Sequence, residues 1–177
     1  MELLIKVRNI YSEVADKLSL YLEPFSLLFL RLLGAKVFLQ SGLTKWDGFL
    51  VFNTEKYDLF LYEFFCPEEP RPGALLLCNP ETLEYKEGSF VVSFVESLAL
   101  MAGIMEVVLP ILLIIGVFTR LSALGLLGMT LFIQLAIFPS WSHWWNPAVW
   151  WAVVMFALIA KGPGLISVDR FLKLERH

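Results

Sequence analysis

Polar and apolar positions in this chain are grouped in blocks. Four long apolar blocks run over 24–44, 90–117, 121–138 and 146–160, each broken by only a few charged residues. Spanning hydrocarbon as a helix takes about 20 mostly apolar residues, and only helices and closed barrels satisfy their backbone there. The pattern predicts a single-domain, all-α membrane protein over 1–177, built as a bundle of four transmembrane helices. Residues 1–22 have a different rhythm. Leu3, Val7, Ile10, Val14, Leu18 and Tyr21 fall on one helical face, and Glu2, Lys6, Asn9, Glu13 and Lys17 on the other. This suits an amphipathic helix lying on the membrane surface or packing against the bundle or another subunit. Pro24 then opens the first span, where its missing N–H does little harm.

The loop 45–89, between the first two spans, is too long to be a plain connector. Its aromatic first half is expected to form a short helix or re-entrant cap at the bundle mouth. PEEPRPG in its middle must be irregular. ALLLCNPETLEY fits a short strand or a short helix. Trp141, Trp144, Trp145, Trp150 and Trp151 cluster around the last turn between spans. Such rings anchor at membrane interfaces, with ligand stacking as the alternative.

Composition agrees with the pattern: 58% of the 177 residues are hydrophobic, and the mean hydropathy is +0.68. A net charge of -3 with no basic run argues against nucleic acid. No cleavable signal peptide is expected, since the first residues lack a continuous apolar core and a small-residue cleavage site. Lys6, Arg8 and Lys17, Arg120, and Lys161, Arg170, Lys173 and Arg176 flank the spans on one side. That bias places both termini in the cytoplasm and the acidic loop 45–89 outside.

Charges inside the apolar blocks are site candidates, because each unpaired one costs roughly 2.5–3.5 kcal/mol. With about 1.5 Å of rise per residue, Lys36 and Glu106 fall at the same depth near the bilayer centre. They are expected to pair or to line one wet cavity. Glu96, Gln40, Lys45, Gln134 and His143 form a second layer nearer the outside. Arg31 lies towards the cytoplasm, where it is expected to snorkel. Glu96, Ala99, Gly103, Glu106 and Pro110 share a helix face, and Ser122, Gly125 and Gly128 give the third span a small-residue seam. These polar residues serve as interhelical glue, as the lining of a pocket open to the outside, or as both.

Cys66 and Cys78 both fall in the outward loop, where an oxidising compartment favours a disulfide. A redox-active pair, free thiols, or a metal site with His143 are the alternatives, though no ligand spacing recommends the last. The chain holds no phosphate-binding glycine loop, HExxH, nucleophile elbow or haem-attachment motif. His143 and His177 are too few for a haem pair, and no stand-alone catalytic motif is present.

RLLG at 31–34 with QSGLTK at 40–45, Glu106 followed by LPILLIIGVFTR at 109–120, and KGPGLISVD at 161–169 together resemble the DoxX family of four-helix bacterial membrane proteins. The resemblance implies an inner-membrane location and carries over Arg31, Lys45, Glu106 and Arg120. It links the chain to small subunits of quinol and thiosulfate:quinone oxidoreductases, and to partners of oxidative-stress and metal-handling enzymes. Lys36 and the segment bracketed by the cysteines depart from the family pattern. The expected function is a redox-associated subunit that binds a quinone or similar amphiphile, with no covalent cofactor and no metal. Glu106 and Lys36 would form its polar centre, Gln40, Glu96 and Gln134 would line the way in, and Trp144 and Trp145 would flank the mouth. Arg31, Lys45, Arg120 and His143 complete the candidate set. The alternatives are a non-enzymatic membrane anchor for a metal- or oxidative-stress complex, and a small-molecule transporter. Expected partners are membrane lipid, redox or metal-handling proteins, and a second copy of the chain.

Overall fold

A computed structural model describes residues 1–86 and 88–174. The loop carboxylate Glu87 and the tail residues Arg176 and His177 lie outside the described residues. Helix α1 (Glu2–Leu43) is followed by a small hairpin of β1 (Trp46–Gly48) and β2 (Val51–Phe52), and by α2 (Thr54–Asp58), which runs on as a π-helical turn, Leu59–Phe64. Then come α3 (Phe90–Ile115), α4 (Thr119–Phe132) with its π-helical extension Ile133–Ile137, and short α5 (Trp141–His143). Helices α6 (Val149–Lys161) and α7 (Val168–Phe171) complete the order.

Four helices pack in a ring: the second half of α1 on α3, α3 on α4, α4 on α6, and α6 back on α1. Small residues set the close approaches. A Cβ on Gly42 would lie 2.6 Å from the backbone oxygen of Glu106, and one on Gly125 would lie 2.7 Å from Leu109 Cδ1. Leu27, Phe38, Leu113, Leu126, Met155 and Leu158 fill the centre. Two helices, Phe90–Ile115 and Thr119–Ile137, are long and apolar enough to cross a membrane, with mean hydropathies of 2.6 and 1.7 in their most apolar stretches. They occupy the second and third apolar blocks of the sequence.

The expected break at Pro24 is absent. Residues 2–22 and the first apolar block are one helix of 42 residues, about 63 Å long at 1.5 Å per residue. Proline removes a single N–H, and the helix-forming residues on both sides carry the helix through. Residues 2–22 are exposed almost all round, including Leu3, Val7, Ile10, Val14 and Leu18.

The loop folds as a cap. Phe60, Leu61 and Phe65 pack on Val95 and Ala99 of α3 in a second apolar cluster. Cys66 and Cys78 are joined in a disulfide, with their Cα atoms 5.5 Å apart. Leu77 N–H donates to Phe65 O across this loop at 2.9 Å, and Leu75 N–H donates to Ala136 O at 2.8 Å. The segment 74–85 is thus neither a regular strand nor a helix. It is an irregular strap that ends in a turn over 80–83, closed by the isolated bridge Asn79 to Glu84.

Candidate functional site

Beneath the cap, at the end of the bundle where α1 stops, lies a cavity of about 440 Å³. Its walls are Val37, Phe38, Ser41 and Lys45 from α1 and the residues after it; Leu98, Met101, Ala102, Met105 and Glu106 from α3; and Gly128, Met129, Phe132, Ile133 and Ile137 from α4 and its extension. Trp151 of α6, the cap residues Phe60 and Phe64, and Phe138 and His143 from the connection between α4 and α6 close it. This matches small-molecule sites in size and character: apolar walls with few polar groups.

The main polar feature is an ion pair. Lys45 Nζ donates to Glu106 Oε2, with only 10% and 7% of the two side chains exposed. Lys45 Nζ also reaches Ser41 Oγ at 3.2 Å. The pair forms because Gly42 lets the end of α1 touch the α3 backbone at Glu106, while Gly103 leaves room for the Phe52 ring of the hairpin that follows Lys45. Buried ions cost several kcal/mol each to desolvate, so this pair is paid for by its mutual attraction and the Ser41 contact. An ammonium has three donors, and these two contacts leave a third.

His143 is the second polar group. Gln134 Nε2 donates to Ser140 O at 3.1 Å, which turns Gln134 Oε1 towards His143 Nδ1, 2.6 Å away. Nδ1 therefore carries the proton in the neutral ring, and Nε2 is left as an acceptor. Burial pushes the His143 pKa below its ordinary value of 6.5. The ring stacks on Phe138, centroids 4.9 Å apart, and Arg71 covers Phe138 at 4.5 Å. Further out in the cap, Tyr85 donates to Leu61 O at 2.6 Å, and burial first, then the neighbouring Tyr62, pushes its pKa up to about 12.

A second polar cluster sits at the opposite end of the bundle and has a different character. Arg31 is 1% exposed and donates to Ile166 O. Asp169 accepts from Phe118 N–H at 2.8 Å and from Thr119 N–H at 2.9 Å, capping α4. Gly116 ends α3 at φ +71, and a Cβ there would lie 1.9 Å from Arg31 Nη1. Arg120 donates to Ile159 O at 2.6 Å, satisfying the end of α6.

The predicted site residues therefore divide. Lys45, Glu106 and His143 line the cavity, and Gln134 orients His143. Lys36 is not the partner of Glu106: it is exposed, as are Gln40 and Glu96. The midpoint of the first apolar block is near residue 34, but α1 meets Glu106 at Gly42. At about 100° per residue, Lys36 is turned about 120° away from Gly42. Arg31 does not snorkel; it is buried and bonded. Trp144 is half-buried against the core, and Trp145 is exposed. Sequence reasoning missed Asp169, Ser41 and the cavity methionines Met101, Met105 and Met129. The spacing of Met101, Met105 and Glu106 on one helix was the available signal. Among the described residues no group of three or more His, Cys, Asp or Glu is placed to hold a metal.

Fold and site together define a helical membrane protein with a ligand-sized cavity walled in part by its two helices of membrane-crossing length and apolarity. The chain belongs to the DoxX family, whose model matches residues 26–139. No curated protein and no solved structure matches it. The closing segment 161–169 lies beyond the matched residues.

Proposed function

We propose that this protein binds a quinone or a similar lipid-soluble amphiphile in the cavity beside Lys45 and Glu106, as a membrane subunit of a redox system in the bacterial inner membrane. In this reading all four helices cross the bilayer, both termini are cytoplasmic, and the cap faces outward. The observation that carries it is the pairing of a 440 Å³ apolar cavity with one buried ion pair in its wall. Apolar walls suit a ring and tail, while the third Lys45 donor and the His143 acceptor suit a headgroup that both accepts and donates hydrogen bonds. A bound quinone would supply the electron chemistry; the chain supplies binding, orientation and groups able to hold a proton.

The test is titration of purified protein in nanodiscs with decylubiquinone, followed by tryptophan quenching. Saturable binding is expected, and it should be lost in a Lys45→Met/Glu106→Leu double variant that keeps its melting temperature. Absence of saturable binding, or binding untouched by the double variant, overturns the proposal. A second reading, a membrane anchor for a redox or metal-handling partner, is favoured by the exposed apolar face of residues 2–22. Deleting that segment should then abolish co-purification of the partner while leaving quinone binding intact.

A further inference from the structure

We infer that the cavity is filled sideways from the bilayer, through a portal between α3 and α4 at Gly128; this rests on the reading of the cavity as a ligand site. The two helices flanking the portal are the two with membrane-crossing length and apolarity. Gly128 is tenth of the 19 residues of Thr119–Ile137, so the portal lies at the middle of that span. Towards the Gly116 end, α3 and α4 touch, with Leu109 lying against Gly125. Less than one turn further, at Gly128, a Cβ would meet nothing within 4 Å. The seam is closed below and open above.

The residues around the opening serve both surfaces at once. Met101, Met105 and Phe132 line the cavity, yet they are 58%, 37% and 45% exposed on the flank of the bundle. Methionines have mobile, unbranched side chains that part at little cost. Phe132 is the last α-helical residue before α4 widens into its π-helical turn, an irregularity that recurs at functional sites. Towards water the cavity is covered instead by Phe60, Phe64, Phe138 and His143, beneath a strap pinned by the Cys66–Cys78 disulfide. The ligand class is therefore one that partitions into the bilayer and arrives by lateral diffusion.

A bilayer-dissolved aryl diazirine tests the route without assuming the ligand. After photolysis in nanodiscs, peptide mapping is expected to find adducts on Phe38 and Trp151 inside the cavity. These should fall at least tenfold in Gly128→Trp and persist in Leu124→Trp, which places the same ring on the exposed face one turn away. Gly128→Leu is the second blocking variant should the tryptophan disturb folding, and Gly128→Ala should label like the wild type. Cavity adducts that survive both blocking variants, or that are missing from the wild type, overturn lateral access. Excess decylubiquinone should protect Phe38 and Trp151. Labelling that obeys the portal variants but shows no such protection would remove the quinone reading and leave the lateral route standing.

Discussion

Arg31 on α1 and Lys45 two residues past its end lie on one buried stripe, yet the two ends of that stripe do opposite things. Around Arg31 everything is packed: its guanidinium presses on Gly116 and donates to Ile166 O, while Asp169 caps α4 beside it. Around Lys45 there is open space, with an ion pair on one wall and aromatic rings above. A buried cation with one carbonyl bond, wedged so tightly that its Nε and Nη1 have no hydrogen-bond partner among the described residues, fastens chain segments together by packing. A buried cation satisfied by a single carboxylate beside a void keeps a donor for something else. The difference lies in what each residue touches, since both are long, charged and buried.

The sharpest way to break this comparison is at the packed end. Gly116→Ala would force a Cβ into Arg31 and Ser167 at a positive φ, and the variant is expected not to fold; a normal melting temperature would refute the tight packing around Arg31. Asp169→Ala leaves two backbone N–H groups without their acceptor and should cost about 2–5 kcal/mol, read as a lower midpoint in denaturant. At the open end, Glu106→Ala leaves a buried ammonium unpaired and should cost about 3–5 kcal/mol. Lys45→Met/Glu106→Leu should recover most of that, because the desolvation cost goes with the charges. A comparable rescue in Arg31→Met/Asp169→Leu would erase the distinction between the two ends.

Smaller effects sharpen it. Reducing Cys66–Cys78 releases a loop of about a dozen residues, worth about 3 kcal/mol by chain entropy. Hydrogen exchange should rise in the cap and stay unchanged at residues 116–119. Tyr85→Phe loses the bond to Leu61 O and should cost about 1 kcal/mol. His143 gives a pH signature. Burial keeps its ring neutral in the folded protein below the usual 6.5. Its contribution to stability is therefore complete above about pH 6.5 and declines as pH falls through the lowered folded value. The melting temperature should drop more steeply with acid in the wild type than in His143→Gln; parallel curves would show that His143 is not held neutral.

Much of the fold was legible. Apolar blocks and helical spacing marked α3 and α4, because a membrane-crossing helix needs a length of apolar residues that is visible in one dimension. The structure buries Leu27, Arg31, Gly34, Phe38, Gly42 and Lys45, spaced by three and four, as one stripe along α1 and just past its end. Lys36 and Gln40 lie off it. Reading depth in place of face chose Lys36, and that choice required knowing where α1 begins. Pro24 suggested an answer that the continuous helix contradicts.

The sequence by itself determined the class of the protein, the family motifs, the inward run Ala99, Gly103, Glu106 and Pro110 of α3 and the two cysteines that could bridge. Periodicity and composition are local properties, and these features depend on little else. Only the tertiary structure decided that Lys45 meets Glu106, that Asp169 caps α4, that Gln134 turns His143, and that α3 and α4 part at Gly128. Each of these depends on how far one helix slides along another. That register is set by where glycines let backbones touch, which spacing along a single helix does not encode.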